Sequence, residues 1–137
     1  MKKKKSDHAF ILVVEDEEET ANSISIILRK AGYKVECVRD GFSAVNRIAS
    51  CKNTSSAFNL VLTDIQMPVL TGTELMEELK KTNIDIPVLV ITGYSDEETI
   101  RQLEVVYAVP YMIKPFKPME LLEQVENALK LKTGRVC

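Results

Sequence analysis

The side chains able to do chemistry in this sequence stand where apolar runs end. Glu15 and Asp16 follow residues 9–14, Asp64 follows residues 58–63, Thr92 follows residues 87–91, and Lys114 follows residues 109–113. Brought together, they would be three carboxylates, one hydroxyl and one ammonium. Clustered carboxylates repel one another and rise in pKa unless a cation sits among them. A hard divalent ion meets that need. Magnesium prefers oxygen ligands, takes one or two carboxylates, and keeps waters or a phosphate oxygen on the rest of its octahedron. The ammonium and the hydroxyl would clamp phosphoryl oxygens. The carboxylate left over can serve as a nucleophile, because aspartate forms acyl phosphates. Position singles out Asp64 for that role: it stands alone, ends a central run, and opens a loop.

That chemistry needs a scaffold that carries all these run ends to one place. Five apolar runs alternate with five helix-like stretches. Residues 9–14 read as the first strand. Ala21, Ile24, Leu28 and Ala31 recur at helical spacing, and Gly32 stops that helix. Residues 33–38 read as a strand with one wet face, since Val35 and Cys37 alternate with Lys34 and Glu36. A shorter helix over 41–51 turns Ala44, Val45 and Ile48 inward. A polar loop over 52–56 leads to the third strand. Residues 73–81 form a helix with Leu75, Met76 and Leu79 as its stripe. The fourth strand, 87–91, is continuously apolar, as a central parallel strand should be. Ser95 is in N-cap position, with Glu98 in capping-box register. The fifth strand, 109–113, contains Pro110 and therefore belongs at an edge. Pro118 opens the last helix, whose inward residues are Leu121, Leu122, Val125, Ala128 and Leu129.

Alternating strands and helices predict a doubly wound α/β sheet of five parallel strands with helices on both faces. The edge-like second and fifth strands fit the flavodoxin-like order 2-1-3-4-5. In such a sheet ligands bind beyond the carboxyl ends of the strands, near the switch point between strands one and three. That is the rim where the reactive side chains collect.

Composition narrows the function classes. The 137 residues suit one domain, expected over 9–131 between a basic tail at 1–8 and a short tail at 132–137. Net charge is −2, so nothing in the total invites nucleic acid. No apolar run approaches the roughly 18 residues of a membrane span. The expected location is the cytoplasm. Cys37, Cys51 and Cys137 have neither CxxC nor metal-like spacing and read as reduced thiols. His8 is the sole histidine, which argues against a multi-histidine zinc site.

Four fragments resemble the receiver domains of response regulators in two-component signalling. Val13-Val-Glu-Asp-Glu17 is similar to the acidic pair of that family. Leu62-Thr-Asp-Ile-Gln-Met-Pro68, followed by Thr71-Gly-Thr-Glu-Leu75, is similar to its phosphoacceptor loop. Val90-Ile-Thr-Gly93 resembles its hydroxyl-bearing strand end, and Tyr111-Met-Ile-Lys-Pro-Phe116 its lysine–proline signature. Each fragment is weak alone; four in order at the right strand ends are specific. The resemblance covers about residues 9 to 131.

The resemblance implies roles. Asp64 receives a phosphoryl group from a phosphohistidine on a sensor histidine kinase or a phosphotransfer protein. Asp16 binds Mg2+ directly and Glu15 through water, with Asp64 and the backbone carbonyl of Gln66 as further ligands. Thr92 and Lys114 meet phosphoryl oxygens. Gly93 keeps access to the acceptor open, Gly72 serves the turn after the acceptor loop, and the Lys114–Pro115 bond is cis. Tyr111 is the aromatic that turns between inward and outward positions. Phosphorylation then switches the surface of the fourth helix, fifth strand and fifth helix, for an effector domain or a second copy. The chain is a stand-alone receiver or a piece of a larger regulator or hybrid kinase, and it is a switch rather than an enzyme.

Two rivals share some of these features. A magnesium-dependent phosphohydrolase would want a second aspartate two residues beyond Asp64, where this chain has Gln66. A pseudo-receiver scaffold would not need the full acidic, hydroxyl and lysine set. One stretch departs from the family. Where receivers carry Gly-Ala and acids, this chain has Val105-Val-Tyr-Ala-Val-Pro110, with Tyr107 at the glycine position. Exposed apolar clusters mark contact sites, and Tyr107 is the expected anchor of one.

Overall fold

The computed structural model describes residues 9–51, 57–65, 72–81, 85–93 and 96–134. Its strands are β1 (Phe10–Val14), β2 (Lys34–Val38), β3 (Leu60–Thr63), β4 (Val88–Thr92) and β5 (Tyr111–Ile113). The α-helices are α1 (Glu18–Lys30), α2 (Gly41–Cys51), α3 (Gly72–Lys81), α4 (Glu97–Arg101) and α5 (Pro118–Gly134); a π-helical turn, Gln102–Val106, extends α4. All strand pairs are parallel, in the order β2-β1-β3-β4-β5.

Successive strand residues point to opposite faces, so each central strand feeds two cores. Ile11, Val13, Leu60, Leu62, Leu89 and Ile91 meet Ile24 and Leu28 of α1 and Leu121, Val125 and Ala128 of α5. Leu12, Val14 and Val61 meet Ala44 and Ile48 of α2 and Leu75 and Leu79 of α3. Ile65, Met76, Val90 and Leu103 form a smaller third core beneath the π-helical turn, with Tyr107, Val109 and Tyr111 packed against it.

Helix α1 stops as expected: Gly32 has φ 102°, the left-handed conformation that glycine enters without a Cβ penalty. β2 is a true edge, and Glu36 on it accepts a bidentate pair from Arg47 of α2, one arm being Nη2 to Oε1 at 2.8 Å. Cys37 is exposed and Cys51 buried, and neither is in a disulfide.

Two expectations need correction, both near α4 and β5. The N-cap of α4 is Asp96, whose carboxylate accepts from the Thr99 amide at 3.1 Å and the Thr99 hydroxyl at 2.8 Å. An ionised acceptor at the helix start outcompetes a hydroxyl one residue earlier. Ser95 itself lies outside the described residues. β5 is only three residues long, and Pro110 precedes it; the Pro110 carbonyl still accepts from the Val90 amide at 3.0 Å. After the π-helical turn Tyr107 keeps φ −97°, and Ala108 takes the left-handed conformation at φ 51°. A bulky side chain is strained in that conformation, and the small alanine is less so. The Tyr107 amide then closes on the Gln102 carbonyl at 2.9 Å, and the Val109 amide on that of Leu103 at 3.1 Å.

Candidate phosphoacceptor site

Parallel register brings the reactive residues to one rim. Val14 is level with Val38 on one side and Thr63 on the other, and Thr92 is level with Ile113. The ladder continues one step into the site residues. The Glu15 amide donates to the Val38 carbonyl at 3.0 Å, the Asp64 amide to Val14 at 3.3 Å, and the Lys114 amide to Thr92 at 2.8 Å. These bonds fix three reactive residues to the sheet itself rather than to mobile loop backbone. The Thr63 hydroxyl donates to the Asp64 carbonyl at 2.9 Å, which adds a further restraint.

At the centre, Lys114 Nζ lies 2.8 Å from Asp64 Oδ2 and 3.3 Å from Glu15 Oε1. Residues far apart in sequence thus share one ammonium. Glu15 is 4% exposed, Asp64 7% and Thr92 0%. Burial pushes the Glu15 carboxyl above its ordinary range; Lys114 and the Glu17 amide pull it back only in part, and Asp64 adds repulsion. Burial alone would depress the Lys114 ammonium. Its hydrogen bond and attraction to Asp64, then Glu15, hold it above its ordinary value instead. The lysine is therefore a fixed positive charge at neutral pH.

Asp16 stands apart from this cluster. It is exposed, at the bend after β1, and takes no part in the Lys114 ion pairs. Gln66, with Met67, Pro68 and Thr71, lies outside the described residues. Among the described residues no three acidic, cysteine or histidine side chains converge closely enough to hold a metal by themselves. The donor chemistry nevertheless suits magnesium. It consists of oxygens only, two of the carboxylates are buried, and one protein cation does not balance both of them and the neighbouring Asp16.

The remaining expected residues fall around the rim. Gly93 is exposed, and a Cβ built there meets no atom within 4 Å, so the approach beside Thr92 is open. The Lys114–Pro115 bond is cis. α3 begins at Gly72. Tyr111 is half-buried, and its hydroxyl donates to Glu104 Oε2 at 2.6 Å. That hydrogen bond, followed by burial, raises the phenol above its ordinary value. Tyr107 packs half-buried on the third core, and its hydroxyl donates to Glu77 of α3 at 3.1 Å. The exposed members of that run are Val105, at 67%, Val106, at 61%, and Ala108.

Sequence reasoning overlooked Ile65 and Glu104. Ile65 follows Asp64 directly and is buried in the third core. Its apolar type, between Asp64 and Gln66, was the available signal. Glu104 carried none, because its role depends on the π-helical turn.

Comparison with known proteins agrees with this geometry. The family model described as the response regulator receiver domain matches residues 11–126. Regulatory protein VanRB of Enterococcus faecalis is 35% identical over 120 residues, covering 88% of this chain and 52% of that protein. Transcriptional regulatory protein ZraR of Escherichia coli is 33% identical over 123 residues, covering 90% of this chain and 27% of that protein. The chain thus spans about half or less of these curated relatives. A CheY-like response regulator receiver domain protein from Methanospirillum hungatei superposes with a TM-score of 0.79 at 31% identity, covering 92% of this chain and 97% of that one. The signal receiver domain of a signal transduction histidine kinase from Syntrophus aciditrophicus gives 0.77 at 30% identity, covering 89% and 90%. Among the described residues no helix is long and apolar enough to cross a membrane. With a five-stranded sheet in the order 2-1-3-4-5 and an acidic, hydroxyl and lysine rim at its carboxyl edge, this chain belongs to the response regulator receiver domain family of two-component signal transduction.

Proposed function

We propose that Asp64 accepts a phosphoryl group from a phosphohistidine on a histidine kinase or phosphotransfer partner. The observation that carries this reading is the shared contact of Lys114 Nζ with Asp64 Oδ2 and Glu15 Oε1. In the transfer, a carboxylate oxygen of Asp64 attacks phosphorus as the nitrogen–phosphorus bond breaks. The imidazole nitrogen keeps the bonding pair and takes up a proton. Lys114 holds Asp64 in place beforehand and afterwards meets a phosphoryl oxygen, so its charge is in position before charge develops. Thr92 turns its hydroxyl to another phosphoryl oxygen. The open space at Gly93 admits the donor. Mg2+, when bound by Glu15, Asp16, Asp64 and the Gln66 carbonyl, would neutralise phosphoryl charge in the transfer.

The product signals through the surface of α4, β5 and α5, which includes the exposed Val105 and Val106. Its partner is an effector domain or a second copy, with Tyr107 bracing the surface from below and Tyr111 changing partners as it shifts. The chain works in the cytoplasm as a switch whose only chemistry is on its own aspartate. The test is labelling by acetyl phosphate with Mg2+. Asp64→Asn keeps the shape but replaces the nucleophilic oxygen, and labelling is expected to vanish while the far-ultraviolet circular dichroism stays unchanged. Labelling at the parent rate would refute the assignment.

A further inference from the structure

The α4–β5 corner contains a contact that the phosphoacceptor chemistry does not require. Tyr111 of β5 donates its hydroxyl to Glu104 Oε2 at 2.6 Å. The bond is short, and its acceptor is a carboxyl group carried by a different element of the fold. Glu104 reaches Tyr111 because of the π-helical turn. Leu103 is fully buried on the third core, and the wide turn sets its neighbour Glu104 over β5. Tyr107, at the end of the same turn, is tied to α3 through Glu77 at 3.1 Å. The turn is therefore held on two sides.

The same small core contains Ile65, next to the acceptor aspartate, and Val90, two residues before Thr92. A rearrangement of Asp64 and Thr92 thus reaches the turn and Tyr111 through shared packing. A contact present only in the resting arrangement must be broken on the way to the other one. Its strength then sets how much of the phosphoryl free energy goes into release.

We propose that Glu104 is a positioning residue: its bond to Tyr111 latches the α4–β5 corner in the resting arrangement and opposes phosphorylation. This rests on the reading of Asp64 as the acceptor. Reciprocal linkage gives it a measurable sign, because loss of the latch makes the phosphoryl mimic bind more tightly. Loss of a merely structural contact would weaken that binding or leave it unchanged.

The experiment titrates the full chain with beryllofluoride in the presence of Mg2+, for the parent, Glu104→Ala, Tyr111→Phe and the double variant. Each single variant is expected to bind about two- to tenfold more tightly, the range of one ordinary solvent-exposed side-chain hydrogen bond. The double variant is expected to match the singles, because both remove one bond. Glu98→Ala, which removes an exposed α4 carboxylate paired with Arg101, should bind as the parent does. A second readout needs neither metal nor mimic. Hydrogen exchange at the Tyr107 and Val109 amides, which close the turn, should quicken in both single variants. Both readouts must move, and either one unchanged overturns the latch. If the parent takes up no beryllofluoride, the acceptor reading fails instead. The latch is then judged on exchange alone: faster exchange upholds it as a local restraint, and unchanged exchange refutes it.

Discussion

The face covered by α1 and α5 and the corner made by α4 and β5 flank the same sheet, yet they are held in different ways. On the first, Leu28, Leu121 and Val125 are fully buried against alternate residues of β1, β3 and β4. On the second, a five-residue α-helix runs into a π-helical turn, an alanine takes a left-handed turn, and a three-residue strand forms the edge. Among the described residues only Ile65, Met76, Val90 and Leu103 form the buried core there, and two tyrosine–carboxylate bonds supplement it. Local stability follows buried apolar packing, so the corner lies at the low end of the molecule's range. The well-packed face keeps the reactive rim in register, and the switch proposed above needs a second arrangement only of the thinly packed corner. A signalling domain needs both, since a site must be preorganised while its output must move.

The largest test of this contrast is a pair of core truncations. Leu121→Ala and Leu103→Ala both remove a fully buried leucine. Leu121→Ala is expected to cost about 2–5 kcal/mol of global stability by urea unfolding. Leu103→Ala is expected to cost less globally while exchange at Tyr107 and Val109 becomes fast. Equal losses with no local change in exchange would mean the corner is no weaker than the face.

Lys114→Ala cuts the tie between the rim and β5. The variant should still take a beryllofluoride adduct on Asp64, but more weakly, and the amide shifts of Leu103 to Ile113 should disappear. Parent-like shifts would show that the corner reads the acceptor through Ile65 and Val90 alone.

Ala108→Gly should relieve the left-handed turn. A gain of roughly 0.5–1 kcal/mol is expected, the steric relief being partly offset by a more flexible unfolded chain. Thermal unfolding measures it, and a loss would show that the alanine methyl packs better than the turn costs.

The smallest effect belongs to the other edge. Arg47, by hydrogen bonding first and charge second, holds the Glu36 carboxyl below its ordinary range despite partial burial. A carboxyl lowered in the folded state stabilises above its unfolded pKa, and that contribution is lost as pH falls through the lower folded value. Glu36→Gln should therefore be slightly less stable than the parent at neutral pH. The two should converge in acid, below the usual glutamate range near about 4.3. A difference independent of pH would assign the effect to packing, for example through the Arg47 guanidinium over the Phe58 ring at 5.8 Å.

Much of the molecule was legible from residue types alone. Alternating helical and strand periods, with edge signals in the second and fifth strands, were enough for the sheet order. Glu15, Asp64, Thr92 and Lys114 were legible because each ends a strand, and parallel strands bring their carboxyl ends to one rim whatever the loops do. Local patterns carry that information because burial acts on each strand and helix separately. The rest depended on fit between distant parts. Only the assembled corner shows the π-helical turn over Gln102–Val106 and the left-handed conformation at Ala108. Asp96 displaced Ser95 as the cap because one carboxylate could reach both donors of Thr99. The sharing of one ammonium by Glu15 and Asp64, and the reach of Glu104 to Tyr111, are distances between elements far apart along the chain. Such distances arise only when every element is packed, because no local preference encodes a contact whose two halves are placed by different cores.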